Sequence, residues 1–225
     1  MNTFLKFALP LVGALSVAGV ANAVVVPGVY NTGLGVGGVA LAAGDGQVDA
    51  NYKVLSTNAG NVTVGGQALT YYNTAYLQDG PQSRIVNGTG DGSGVTGEVT
   101  TFRTTFNLTG FDSTNATLSG QVLFDNFGTI SLNGNAFGGT FTGFNSLTPF
   151  GTSANFFLSG INTLDFTMNN VDGPAAFQVA GLTVTAARLP VVGGVPEPTS
   201  WMMMVAGFGL VGASVRRRKP TVVAA

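Results

Sequence analysis

Residues 24–190 of this chain predict an all-β fold, an antiparallel β-sandwich, on three observations. Apolar and polar residues alternate with period two along stretches rich in Thr, Val and Phe. Clusters of Gly, Asn, Asp and Pro interrupt those stretches roughly every 8–15 residues. No 3.6-residue period emerges between Val24 and Leu189.

The elements follow in chain order. Lys6 is the only charge of a short n-region, Phe7 to Val20 form an apolar h-region, and Ala21-Asn22-Ala23 is a small-x-small cleavage site. Residues 1–23 therefore read as a signal helix removed after Ala23. Asp49–Leu55 and Gln67–Tyr76 are the first expected strands. The clearest is Glu98–Thr109, with Phe102, Thr104, Phe106 and Leu108 on one face and Thr101, Arg103, Thr105 and Asn107 on the other. Ala116–Phe124 and Phe127–Leu132 follow, and Asn133-Gly134 signals a type I′ hairpin. Leu164, Phe166 and Met168 alternate with Thr163, Asp165 and Thr167, and Phe177–Ala187 closes the domain.

A linker, 191–200, comes next. Pro196 and Pro198 flank Glu197 there, each fixing φ and lacking an N–H. From Trp201 to Val215 there are fifteen residues without a charge. A helix of that length spans roughly 22 Å, against a hydrocarbon core of ~30 Å, and Thr199, Ser200 and snorkelling Arg side chains lengthen it. Residues 201–215 are thus expected as a transmembrane helix. Trp201 suits one interface, and Arg216, Arg217, Arg218 and Lys219 make 216–225 a basic cytoplasmic tail by the positive-inside rule.

Composition narrows function. The whole chain is near neutral, but residues 24–194 hold four cations and nine anions, a net charge of −5. An acidic exported domain repels nucleic acid, so no nucleic-acid partner is expected. Cysteine and histidine are absent, which excludes disulfides, Cys nucleophiles, Ser-His-Asp triads and His-ligated metals. Most carboxylates are Asp beside Gly or Asn, where Asp serves turns. No enzyme activity and no cofactor are expected. Calcium takes oxygen ligands, and Asp91, Ser93 and Glu98 in one Gly-rich stretch are the metal candidates, with Asp45 and Asp49 a second pair. On a strand Tyr72 and Tyr76 share a face and Tyr71 points away, so Tyr72 and Tyr76 are the candidates for a sugar platform.

Val195-Pro196-Glu197-Pro198, Trp201, Met203, Gly207-Phe208-Gly209, Gly212 and Arg216 to Arg218 resemble the C-terminal sorting signal of the PEP-CTERM family in its PEPxxWA form. The resemblance implies export by a Gram-negative bacterium and transient anchoring in the inner membrane. It also implies processing by an exosortase near the Pro-Glu-Pro motif. The family is associated with exopolysaccharide and biofilm. Phe102 to Asp112 and Gly160 to Asn170 are similar to strand-and-turn motifs of exported proteins of this kind, and imply a jelly-roll-like, galactose-binding-like domain. The expected function is a non-enzymatic protein of the cell surface or extracellular matrix. The alternative is a carbohydrate-binding module for exopolysaccharide.

Overall fold

The computed structural model describes residues 22–76, 79–80, 82–190 and 198–216. Most of the expected signal peptide, including Ala21, lies outside the described residues, as do Pro196, Glu197, Arg217 and Arg218. The strands are β1 (Ala23–Val25), β2 (Val48–Thr57), β3 (Gln67–Thr70), β4 (Val86–Asn87), β5 (Glu98–Asn107) and β6 (Thr117–Asp125). They continue with β7 (Phe127–Leu132), β8 (Asn135–Thr142), β9 (Thr148–Thr152), β10 (Ile161–Asn170) and β11 (Ala176–Ala187). Helix α1 covers Pro198–Arg216. The described residues divide at Leu189/Pro190 into two compact units, the sheet and the segment that holds α1.

All pairings in the sheet are antiparallel, in one hydrogen-bonded path β8-β7-β10-β5-β2-β3-β4-β11-β6-β9, with β1 joined to β11. The path curls nearly into a barrel and brings β8 against β9. The two layers of the expected sandwich are therefore halves of one sheet, linked through β2, β3 and β4, and not the two separate sheets of a jelly-roll.

Alternation decides which residues fill the space between the halves. On β5 the pattern places Glu98, Thr100, Phe102, Thr104 and Phe106 inward, and Val99, Thr105 and Asn107 outward. Phe102 of β5 and Phe166 of β10 meet Phe177 of β11 with ring centroids 4.5 and 5.9 Å apart. Phe124 of β6 stacks on Phe177 at 6.2 Å, and Tyr52 of β2 lies edge-on to it at 5.9 Å. All five rings are fully buried. Such aromatic clusters hold the layers together by area burial and by tilted or offset ring geometry.

Asn133 (φ 51°) and Gly134 (φ 81°) form the predicted tight turn, with Leu132 opposite Asn135. A type I′ turn needs positive φ at both central residues, which Asn tolerates and Gly adopts freely. The strand expected over Gln67–Tyr76 stops at Thr70. Asn73 ends it: its side-chain oxygen accepts from the Ala75 N–H and its carbonyl from the Tyr76 N–H, a local turn that competes with the ladder. Ala23, the expected cleavage residue, opens β1 opposite Ala187.

The expected transmembrane helix is corrected. Among the described residues no helix is long and apolar enough to cross a membrane. The cause is in the sequence: the uncharged run is short, and three glycines and Ser214 dilute it.

Candidate functional site

A groove of about 500 Å³ lies on the outer face of β2 and β5, walled by the Gly28–Tyr30 segment and by Val64-Gly65. Its floor follows from register. Lys53 of β2 stands directly opposite Arg103 of β5, and Arg103 directly opposite Asp165 of β10. Arg103 makes a forked ion pair with Asp165, Nε to Oδ1 at 2.7 Å and Nη2 to Oδ2 at 2.8 Å. That planar fork matches a carboxylate and fixes the guanidinium. Lys53 is exposed and has no ion pair among the described residues. Asn51 and Thr105 add an amide and a hydroxyl, and Leu55 and Val64 add apolar wall. Leu55 reaches the groove through a bulge: Val54 pairs with Phe102 and Ser56 with Thr101, which leaves Leu55 without a register partner.

Buried groups hold these walls in place. The Tyr52 hydroxyl donates to the Tyr30 carbonyl at 2.9 Å. Gly38, at φ +78°, leaves room for the Tyr30 ring, since a Cβ there would meet ring carbons at 2.7 Å. Asp49 is buried at the start of β2 and accepts from the N–H groups of Gly33, Asn51 and Tyr52. Burial outweighs those donors and pushes its carboxyl up to about 6.

The sequence-predicted ligand residues do not converge. Tyr72 is half exposed and lines a second cleft of about 450 Å³ with Asp79 and Arg84, which are paired at 3.1 Å. Tyr76 is buried, donates its hydroxyl to Asp125 and packs edge-on against Tyr71 at 5.9 Å and Phe144 at 5.6 Å. The shared face expected for Tyr72 and Tyr76 is lost because the strand ends before both. The calcium candidates separate in the same way. Asp91 is exposed, and its carboxylate accepts from the Ser93 N–H at 2.9 Å, the first cause that holds it below the usual carboxylate range. Glu98 is buried and accepts from the Thr100 hydroxyl at 2.7 Å and the Val95 N–H at 3.2 Å. Asp45 accepts from the Tyr72 N–H while Asp49 is turned to Gly33. Among the described residues no group of three metal-ligating side chains forms.

In the second unit, α1 is exposed along its described surface, with Trp201, Met203, Phe208, Leu210 and Val215 all open and Arg216 in the last turn. Residues 194–219 match the PEP-CTERM protein-sorting motif. The chain carries a PEP-CTERM sorting signal. The signal implies an exosortase as processing partner, and with it export and membrane-associated sorting. No curated protein matches the chain. Among solved structures the chain is similar to the enzymatically active domain of tailspike protein 4 from Bacteriophage CBA120 at TM-score 0.40 and 11% identity. The match covers 60% of this chain and 19% of that one. It is also similar to an exo-beta-1,3-galactanase from Phanerochaete chrysosporium (TM-score 0.25, 17% identity, 64% of this chain and 30% of that one). A xylan-binding domain from Paenibacillus barcinonensis matches at TM-score 0.18 and 14% identity, over 66% of this chain and all of that one. Likenesses at this level assign no function.

The PEP-CTERM segment gathers Pro198, Trp201, Met203, Gly207, Phe208, Gly209, Gly212 and Arg216 on one helix, with Val195, Pro196, Glu197, Arg217 and Arg218 outside the described residues. Sequence reasoning missed the groove of the first unit. Its polar residues were visible as the outward face of Glu98–Thr109, but nothing in the chain order announces that Lys53 meets Arg103.

Proposed function

We propose that this is a non-enzymatic exported protein of the cell surface or extracellular matrix, delivered by exosortase-dependent handling of its C-terminal segment and acting with exopolysaccharide in biofilm. The observation that carries the reading is the PEP-CTERM signal at 194–219, which falls wholly within the sequence range of the second unit. An address that lies outside the core can be processed without unfolding the domain. Truncation after Gly194 in the producing bacterium tests it. The shortened protein should keep an all-β circular dichroism spectrum and lose its fractionation with membranes. Loss of the β spectrum would place 195–219 in the folding core and sink the proposal. Turnover of a glycoside or polysaccharide by the intact protein would overturn its non-enzymatic part.

A second reading, that the sheet binds carbohydrate, is favoured by the outer groove. It combines hydrogen-bonding side chains with apolar wall at a volume suited to one or two sugar rings. A glycan array probed with the intact protein tests it.

A further inference from the structure

We propose that the outer groove is a site for an acidic oligosaccharide, with Lys53 as the residue that receives a sugar carboxylate. This rests on the reading that the sheet binds carbohydrate and narrows it to a ligand class. The starting point is charge placement. Residues 24–194 hold only four cations against nine anions, yet two of the four, Lys53 and Arg103, lie directly opposite each other across β2 and β5. Like charges in directly opposed positions destabilise a sheet pair. Asp165 compensates Arg103 from the far side with a forked pair, which leaves Lys53 facing the groove without an ion-pair partner among the described residues. A carboxylate entering the groove would neutralise Lys53 as Asp165 neutralises Arg103.

The rest of the lining selects a sugar over a bare anion. Thr105 offers a hydroxyl, while the Asn51 amide, which donates to the Leu34 and Gly35 carbonyls, fixes the neighbouring wall, and Leu55, Val64 and the Tyr30 segment offer apolar surface to the C–H face of a ring. The β2 bulge presents Leu55 there, and Gly38 and Tyr52 hold Tyr30. A volume of about 500 Å³ takes one or two residues of a chain, and the groove is open, so a polymer can run through it. Nucleic acid is a poor alternative, since a domain of net charge −5 repels a polyphosphate while the single uncompensated Lys53 still accepts one carboxylate.

The test uses the full-length chain in detergent micelles and titration calorimetry with three probes: trigalacturonate, its fully methyl-esterified form, and sodium sulfate. Trigalacturonate should bind, and the ester, which keeps the rings and loses the charge, should bind at least about tenfold more weakly, the worth of one charge-assisted hydrogen bond. Lys53→Gln should weaken trigalacturonate binding by a similar factor, and Lys53→Arg should retain it. Because Lys53 is exposed, neither change threatens the fold. Equal binding of acid and ester, or binding unaffected by Lys53→Gln, would overturn the acidic-ligand assignment while leaving carbohydrate binding intact. Sulfate binding as tightly as trigalacturonate would reduce the groove to a plain anion site. No binding of either saccharide would overturn the acidic-oligosaccharide assignment, and an empty glycan array would overturn the broader reading as well.

Discussion

Single residues show where side-chain chemistry departs from its sequence setting. Asp49 sits on a strand beside exposed residues, yet its carboxyl is buried and carries the N–H groups of three neighbours. Its folded value of about 6 lies above the ordinary 3.8, because burial penalises the ionised form. The folded protein therefore holds this proton more tightly than the unfolded chain does. Stability from Asp49 is lost as pH rises through about 6 and is regained on acidification towards about 4. Between pH 7 and pH 5 the gain is about 1 kcal/mol. Asp125, also raised by burial, acts in the same direction. Melting curves at the two pH values check this: the rise on acidification should be smaller in Asp49→Asn than in the parent. An unchanged pH dependence in the variant would rule Asp49 out as its source. Glu98 also departs from its sequence setting, by position. It closes a Gly-rich loop in sequence but begins β5 on the inward face, where Thr100 engages it. Millimolar calcium is accordingly expected to leave the melting temperature unchanged, and a rise of more than about 2 °C would reveal a site that Asp91 and Glu98 do not form together.

At the scale of elements, period two was a reliable guide wherever one face is covered. β5, β6, β7, β10 and β11 lie where alternation placed them, because their inward residues fill one aromatic core. Phe102 is fully buried and only 4.5 Å, ring to ring, from Phe177. Phe102→Ala should cost about 3–5 kcal/mol in chemical denaturation, and a cost under about 1 kcal/mol would mean the ring is dispensable to the core. β8 and β9 escaped the sequence reading for the opposite reason. They are the ends of the path, and most of β8 is exposed. Gly138 and Gly139, both at positive φ, accompany a register shift on β8 that breaks its alternation. β4 has only two residues and is defined by its neighbours β3 and β11, not by a pattern of its own. The same limit explains the site. Arg103 reads as an outward polar residue and Lys53 falls inside the expected strand Asp49–Leu55, but their meeting depends on pairing between strands about fifty residues apart in sequence, which local alternation does not encode.

For the whole molecule, the division into two units was visible in the sequence as a change of composition, whereas the path of the sheet was not. Alternation says that a strand has an inner face; it does not say which strand lies beside it, so one curled sheet and two stacked sheets share the same pattern. The C-terminal boundary was visible because a Pro-Glu-Pro turn, an apolar run and a basic block have no place in an alternating β-domain. The separation makes a quantitative claim about stability. The aromatic rings that join the layers, Tyr52, Phe102, Phe124, Phe166 and Phe177, all precede Leu189, as do the eleven strands among the described residues. If the sheet folds on its own contacts, removing everything after Gly194 should shift its melting temperature by less than about 4 °C, equivalent to under about 1 kcal/mol for a domain of this size. The comparison is made between the truncated protein and the full chain in the same detergent buffer, followed by near-ultraviolet circular dichroism of the buried aromatics. A fall of more than about 10 °C, or loss of the aromatic signal, would show that the segment after Gly194 stabilises the sheet and is not merely an address attached to it.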